Sequence, residues 1–408
     1  MDEGKLVSLL ERAVSDIETP LISGDVEGTG RKHSRSACEI KTSSEAWDQL
    51  LSFIGNCADL EVLNNSMLNT GDGAGTGVTQ ETLAKWLLCA AMENGPAEAV
   101  NRLQKFLGLD ATPAYRILAL SGFKVNKSVK ISDSVHLMPF QDIRDSDAKE
   151  LFESIVQMQG FQPPQLPDVA LIHLVKISPK VFKGMQIPPR ISGISEVLHE
   201  ICDCLTLVGS CAPQPVAEWT WFEDWVPCAS YSLLGRIFPS PAFEPARKSP
   251  PYTFSDHDCS EVADLVSKYL TLNPETKRLL RIALQRLNQS RQRGSLVDRA
   301  IDLGIALEVI LLNDRTVDDS ISFPFRLRGA WLLGKDAAER RDCLKLLKDV
   351  YSCRSKAVHT GKFNGKSARG LSLPVNDILT RGDELGVSMI RRILQLQEFP
   401  DWDDLVLG

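Results

Sequence analysis

The chain has 408 residues, of which 43 % are hydrophobic and 24 % charged, and its formal net charge is −7. These values are typical of an ordinary soluble globular protein with two or three domains. The sequence excludes a helical membrane span, because no apolar run reaches the roughly 18 residues that a span requires. The first residues, Met-Asp-Glu-Gly-Lys, are acidic and lack a hydrophobic signal core, so we expect a cytoplasmic protein.

Ten cysteines are spread along the chain without a repeating interval. The closest group, Cys202, Cys204 and Cys211, matches no standard zinc-binding spacing. We therefore expect buried free thiols in a reducing compartment, with no metal site and no cofactor.

Charge is distributed unevenly along the chain. Residues 277–366 contain 19 Lys and Arg against 10 Asp and Glu, a local balance of +9, which leaves −16 for the remainder. This asymmetry indicates an acidic module joined to a basic one, and the basic module could contact a polyanion. Helix surfaces rich in Lys and Arg also occur in proteins that bind no polyanion, so the balance alone does not identify a partner.

The N-terminal part of the chain is predicted to contain short amphipathic helices. Apolar residues at helical spacing indicate the first of them over residues 2–17. A polar, Gly-rich stretch follows, and we interpret residues 1–44 as a helix with a flexible linker. Further helices are predicted over residues 45–63, 80–93 and 96–107. The segment from Gly71 to Gly77 lacks the Lys-Ser/Thr and the preceding strand of a phosphate-binding loop, so a flexible loop is expected.

From residue 114 the hydrophobic pattern changes from helical to alternating. Short strands are predicted over residues 115–120, 129–132, 135–140 and 169–177. Helices are predicted over residues 145–159 and 195–207. We therefore expect residues 45–237 to form a mixed α/β domain with a small antiparallel sheet. This domain could sense a trigger or regulate the rest of the protein.

Three tryptophans lie close together near the end of this domain. Trp219, Trp221 and Trp225 could stack on nucleic-acid bases. Their neighbours Glu218 and Glu223 are acidic, which favours packing or a protein contact over RNA binding.

The C-terminal part of the chain is predicted to be almost wholly helical. Residues 238–255 are Pro-rich and without periodicity, which indicates a domain linker before it. Cap residues such as Asn273 and Ser295 mark helix starts, and Gly residues mark helix ends. Helices are predicted over residues 262–270, 273–291, 295–312, 325–333, 336–361 and 374–396. Residues 256–408 should thus form an all-α bundle, which makes the fold class α+β.

The fifth of these bundle helices ends with an arginine and a histidine five residues apart, Arg354 and His359. An arginine offers a planar fork of donors that suits phosphate. A histidine has an unperturbed pKa of about 6.5, so it can take and give a proton near neutrality. Phosphodiester cleavage needs both abilities and does not strictly need a metal.

On an ideal helix these two residues lie about 140° apart, so they cannot easily share one face. Either the helix loosens near Gly361, or a second chain completes the site. Both residues also have a purely structural interpretation. His359 could stabilise the helix C-terminus through the helix dipole. Arg354 could pair with an acid such as Glu308 or Asp349.

Three segments around the pair resemble the HEPN domain, and within it the ApeA-like branch. That branch shows an aliphatic helix with Ala-Leu-Glu, a helix with Arg-x-Ala-Trp-Leu-Leu-Gly, and a Tyr-x-x-Arg-Ser-x-x-Val-His motif followed by Gly. The corresponding segments here are residues 298–308, which end in Ala-Leu-Glu308, Phe325-Arg-Leu-Arg-Gly-Ala-Trp331, and Tyr351-Ser-Cys-Arg-Ser-Lys-Ala-Val-His359 before Gly361. The resemblance covers residues 256–408.

This resemblance implies a metal-independent endoribonuclease, a toxin or antiviral-defence effector that acts as a homodimer through its bundle. Two Arg-x4-His motifs would meet in one cleft around RNA, with Arg354 and His359 as catalytic residues. The supporting candidates are Glu308, Ser355 and Tyr351. The candidates for contact with the RNA backbone are Arg326, Arg328, Arg340 and Lys356.

One position departs from many active members of the family. Ser355 stands where these carry Asn, Asp or His, although the ApeA-like branch accepts Ser there. The alternatives to an enzyme are an inactive HEPN module that binds RNA or a nucleotide, and a structural oligomerisation domain.

Overall fold

The computed structural model describes residues 1–17, 44–71, 75–146, 149–150, 152–154, 167–183, 194–223, 225–227, 236–237, 251–314, 321–363 and 370–407. Over these residues the chain forms an N-terminal group of helices, a central antiparallel sheet and a helical C-terminal region. The predicted combination of a mixed α/β part and a helical C-terminal part is confirmed. No helix in these ranges is both long and apolar enough to pass through a membrane.

Four helices form the N-terminal group: α1 (Glu3–Ser15), α2 (Glu45–Asn56), α3 (Gln80–Asn94) and α4 (Pro96–Leu107). The side chains of Asp2, Ser44 and Thr79 accept hydrogen bonds from first-turn amides and so cap the first three. Pro96 is the first residue of the fourth helix, a position whose backbone N–H would have no hydrogen-bond partner within the helix. α2 is shorter than predicted, because the chain turns to an extended conformation at Cys57.

Eleven strands occur in the described residues. They are β1 (Ser66–Asn69), β2 (Gly75–Val78), β3 (Thr112–Ser121), β4 (Phe123–Lys124), β5 (Val129–Lys130), β6 (Val135–Pro139), β7 (Val169–Ile177), β8 (Val181–Lys183), β9 (Gln214–Trp221), β10 (Arg236–Ile237) and β11 (Tyr252–Thr253). Six of them form the central sheet in the order β10-β9-β3-β7-β6-β5, with every neighbouring pair antiparallel. The antiparallel sheet is confirmed, and it is larger than predicted.

The extra size of the sheet comes mainly from β9, which was not predicted although Ala217, Trp219 and Trp221 alternate with polar residues. Two of its polar residues, Glu218 and Thr220, are buried. Both bind the buried Arg116 of β3, whose Nε lies 2.9 Å from Oε1 of Glu218 and whose Nη1 lies 2.7 Å from Oγ1 of Thr220. These hydrogen bonds satisfy the buried polar groups of all three side chains. Glu218 and Thr220 can therefore lie in the interior, although polar residues are usually exposed.

A second sheet of three strands, in the order β2-β1-β8, corrects the prediction of a flexible Gly-rich loop. Residues 72–74 lie outside the described part, but Gly75–Val78 pairs with Ser66–Asn69 as a hairpin. The glycine at position 75 is needed for close packing, since a Cβ there would lie 2.7 Å from the ring of Phe182.

The remaining helices are α5 (Ile194–Leu205), α6 (Asp256–Leu270), α7 (Pro274–Gln292), α8 (Leu296–Leu311), α9 (Ser322–Leu333), α10 (Ala337–Thr360), α11 (Val375–Leu396) and α12 (Trp402–Leu407). α6 to α11 confirm the six helices predicted for the bundle. α6 begins earlier than predicted because Ser255 and Asp258 form a capping box. Of the helix predicted over residues 145–159, the described residues 149–150 and 152–154 are helical and residues 145–146 are not; the others lie outside the described part.

The sheet and the bundle share one continuous apolar core. It runs from Leu118 and Leu171 on one face of the sheet, through Leu198 of α5, to Leu284 and Leu307 in the bundle. Most of the predicted linker, residues 238–250, lies outside the described part. Its last residues differ from the prediction, because β11 pairs in parallel with β4.

Candidate functional site

The long helix α10 carries both residues of the predicted catalytic pair. It begins at Asp336, whose carboxylate accepts hydrogen bonds from the amides of Ala338 and Glu339. It ends at Gly361, where φ is 62° and the N–H donates to the carbonyl of Ala357. The helix therefore stays regular through Arg354 and His359, which removes the possibility that it loosens before Gly361.

Arg354 points toward α8 and is held there by two residues one turn apart. Its aliphatic stem lies against Gly304, where an added Cβ would be 2.3 Å from Cγ of Arg354. Its guanidinium meets Glu308, with Nε 3.2 Å from Oε1 and Nη2 3.3 Å from Oε2. The ion pair that the sequence suggested between these two residues is present.

This ion pair is incompletely hydrogen-bonded. Nε of Arg354 and Oε1 of Glu308 are buried, and neither has a hydrogen bond with good geometry among the described residues. Burial raises the pKa of Glu308, and the nearby charge of Arg354 opposes that rise without cancelling it. Charge attraction and one long hydrogen bond thus hold the two side chains together. The Nε–H donor of Arg354 has no hydrogen-bond acceptor with good geometry.

His359 lies in the last turn of α10 and is exposed. Within the parts of the chain that the structure describes, its imidazole makes no side-chain hydrogen bond or ion pair. The neighbouring Val358 is 51 % exposed, which is unusual for a large apolar side chain in this fold. The histidine is therefore accessible to a substrate or to a second chain.

The supporting candidates lie beside the pair on α10. The ring of Tyr351 packs against Phe325 of α9, with ring centroids 5.6 Å apart. Ser355 is half-buried. Asp349, the other acid suggested as a partner for Arg354, is buried and accepts bonds from Ser372 instead.

The four cations suggested for RNA contact do not form one surface, and two of them require a correction. Arg328 is buried, donates to Asp314 at 2.6 and 2.9 Å, and lies over the ring of Trp402. Arg340 stacks 3.6 Å from the centroid of Trp331, about 21 Å along α10 from Arg354. Both residues therefore hold the bundle together and are not placed to contact a substrate at the pair.

The other two cations remain compatible with the prediction. Arg326 is half-buried, and its Nε donates to the carbonyl of Ser322 in its own helix. Lys356 is half-buried and lies two residues from Arg354 on α10.

Sequence reasoning missed Gly304. The available signal was a glycine inside an otherwise apolar helix, one turn before Glu308, where a glycine weakens the helix unless close packing requires it.

The tryptophans near the end of the sheet are engaged within the protein. Trp219 is fully buried. Trp221 packs against Tyr115, with ring centroids 4.6 Å apart, and Lys105 lies 3.9 Å from the ring centroid of Trp225. These contacts favour packing over base stacking.

A second group of titratable residues lies at the start of α6. His257, Asp258 and Glu261 lie close enough to hold a metal ion. Asp258 is already bound by Tyr252 and the capping box, and Glu261 receives two bonds from Arg391. These carboxylates have structural partners, so the group does not argue for a metal centre.

The cysteine group also has a structural environment. Cys202, Cys204 and Cys211 are buried, and burial raises the pKa of each thiol well above its usual value. Thiols held in the neutral form are poor nucleophiles and poor metal ligands.

No protein-family model, no curated protein and no solved structure matches this chain. The resemblance to HEPN proteins therefore depends on the residues of the three motif segments alone.

Proposed function

We propose that this protein is a metal-independent endoribonuclease of the HEPN type that acts as a homodimer. The observation that carries the proposal is the arrangement at the end of α10. A guanidinium is fixed against α8 by Glu308, and an exposed imidazole follows it five residues later on an unbroken helix. These are the two groups that RNA cleavage by the ribose hydroxyl requires.

The chemistry assigned to these groups is a transesterification. The ribose 2′-oxygen forms a bond to the adjacent phosphorus while the bond from phosphorus to the 5′-oxygen breaks. One His359 accepts the proton of the 2′-OH, and the protonated His359 of the second chain returns a proton to the leaving 5′-oxygen. Arg354 stabilises the charge that builds on the phosphoryl oxygens. The products are a 2′,3′-cyclic phosphate and a 5′-hydroxyl.

The geometry of α10 is the reason for proposing a dimer. Arg354 and His359 are separated by about 140° around the helix and about 7.5 Å along it, so one chain cannot easily aim both at the same phosphate. A two-fold axis near the end of α10 would bring the histidine of one chain toward the arginine of the other. The exposed Val358 beside His359 is consistent with a surface that a second chain covers.

The biological role follows from the family resemblance. An RNase of this type would act as a toxin or antiviral-defence effector that depletes RNA, and the sheet-containing part would receive the trigger. Because the sheet and the bundle share an apolar core, a change in the sheet could reach α8, which holds Arg354.

A cleavage assay with mixed RNA in excess EDTA tests the proposed activity. We expect the wild type to cut, and both Arg354→Ala and His359→Ala to lose activity by at least about 100-fold, as is typical for groups that act in the transition state. Matched controls in the same bundle are Arg392→Ala and His257→Ala, which remove an exposed arginine and an exposed histidine away from the pair.

The alternatives give different outcomes in the same assay. If no protein cuts but the wild type binds RNA, the inactive binding module is correct. If no protein cuts and RNA does not bind even at low salt, the oligomerisation domain is correct, because a polyanion site has a steep salt dependence.

A further inference from the structure

On the exposed face of α10, three cations lie in line with His359, which follows the last of them by about 16 Å along the helix. Arg341, Lys345 and Lys348 are all exposed. With 100° per residue, Lys345 and Lys348 lie within about 40° of Arg341, and His359 lies five full turns beyond it on the same line. We call Arg341, Lys345 and Lys348 the basic track. It points away from the buried side of the helix, where Leu347 and Val350 face the core and Arg354 meets α8.

The cations of the track have no acidic partner in the described parts of the chain. Some exposed cations on other helices do pair with an acid one turn away. Such pairs are Lys268 with Asp264 and Arg278 with Glu275, at 2.6 and 2.7 Å.

The acids of α10 itself do not neutralise the track. Glu339 accepts a hydrogen bond from the amide of Lys335, and Asp349 is buried against Ser372. Asp342 is exposed beside the track but forms no ion pair with it. The track therefore presents a net positive line to solvent on a chain whose overall charge is −7.

We propose that the basic track binds the phosphate backbone of single-stranded RNA and guides it to His359. The proposal deepens the ribonuclease function and rests on it for the identity of the strand. The track and His359 together span about 27 Å of helix. That length is enough for several consecutive phosphates of an extended single strand.

The charge pattern favours a nucleic-acid strand over an acidic protein surface. Cations one helical turn apart on a straight line match a polymer whose charges repeat evenly along its length. The alignment also ends at the group that would act on the strand. Contacts of this kind position the backbone without reading its sequence, so we expect little sequence preference from the track itself.

The test measures binding of an RNA of about 12 nucleotides to the full chain as salt rises from about 50 to 200 mM. His359→Ala is present in every protein, so that cleavage does not interfere. The track variant is Lys345→Gln/Lys348→Gln. The matched control is Lys268→Gln/Arg278→Gln, which removes the same charge from paired cations on α6 and α7.

Removal of two phosphate contacts should reduce the slope of log affinity against log salt by about 1.4, because each contact on a single strand contributes about 0.7. At about 50 mM salt the track variant should bind several-fold more weakly, and the control should match its parent. An unchanged slope in the track variant overturns the proposal. Binding of polyglutamate in place of RNA also overturns it, in favour of an acidic protein partner.

The two proposals can fail separately. If the wild type cuts no RNA but the track variant still loses binding, the ribonuclease activity is wrong and the track stands. If the wild type cuts and the track variant binds with an unchanged slope, the track is wrong and the activity stands.

Discussion

Arg354 owes its position to two residues of α8 that lie one turn apart. Gly304 allows the stem of the arginine to lie directly on the helix, and Glu308 holds the guanidinium. Only Nη2 of Arg354 makes a hydrogen bond with good geometry to Glu308, and the buried Nε lies 3.2 Å from Oε1 without one. At the residue scale, the site depends as much on a missing side chain as on the charged ones.

The variant Gly304→Ala tests this arrangement. A Cβ placed 2.3 Å from Cγ of Arg354 must displace the arginine, so we expect a loss of about 1–3 kcal/mol in the free energy of unfolding. The ion pair should also lose its coupling, measured as a double-mutant cycle of Glu308→Gln and Arg354→Met in both backgrounds.

Gly4→Ala is the control for helix propensity, because a Cβ there has only an ordinary contact at 3.8 Å. That change should stabilise the protein by up to about 1 kcal/mol. If Gly304→Ala is as stable as Gly4→Ala and the coupling is unchanged, the role assigned to Gly304 is wrong.

α5 and α7 meet through polar side chains as well as through the apolar core. Asp203 of α5 accepts a hydrogen bond from Gln285 at 3.1 Å, and Lys277 pairs with Glu200 at 3.0 Å. Burial raises the pKa of Asp203 to about 6, although the bond from Gln285 opposes the shift. At the scale of the element, the contact between α5 and α7 includes a carboxyl group whose pKa is raised to about 6 by burial.

The elevated pKa of Asp203 predicts a pH effect of definite sign. The folded state binds this proton more tightly than the unfolded state, so the carboxylate destabilises the fold above pH 6, and that penalty disappears as the pH falls toward about 4. Asp203→Asn should therefore be more stable than the wild type at pH 7, by at most about 3 kcal/mol and less in so far as solvent reaches the group.

Chemical denaturation at several pH values measures the stability difference between Asp203→Asn and the wild type. The difference should shrink as the pH is lowered from about 7 to about 4. A difference that stays constant over this range would show that Asp203 does not have the shifted pKa.

At the scale of the whole molecule, the buried Arg291 and the half-buried Arg391 join the sheet-containing part to the bundle. Arg291 of α7 binds Asp383 of α11 and also donates to the carbonyls of Thr206 and Cys211, which follow α5. Arg391 of α11 donates to the carbonyl of Leu207. Because one side chain satisfies groups from both parts, separation of the sheet from the bundle would leave buried charge and carbonyls unpaired.

Arg291→Ala should therefore destabilise the protein by about 3–5 kcal/mol, because it leaves Asp383 without its partner. Arg286→Ala on the same helix is the control. Its partner Asp302 keeps Arg293, so the loss should stay within about 1 kcal/mol.

Chemical denaturation of the two variants measures this difference. If Arg291→Ala is no less stable than Arg286→Ala, the structural role of Arg291 is refuted.

The sequence alone determined the elements whose signals are local. Asn273 with Pro274, Ser295, Asp336 and Gly361 predicted helix ends to within a residue or two, because caps act through neighbouring backbone groups. The sequence also identified Arg354 and His359 as a candidate pair, and Glu308 as a possible partner of Arg354.

Only the tertiary structure decided the features that depend on distant contacts. β9 lies inside the sheet because Arg116 compensates Glu218, which no local pattern reveals. Arg328 and Arg340 look like free cations in the sequence. In the structure Arg328 forms an ion pair with Asp314, and Arg340 stacks on the ring of Trp331. Burial and ion pairing involve residues that are far apart in the chain. A local sequence pattern therefore identifies a charged side chain but does not show which residue binds it in the folded protein.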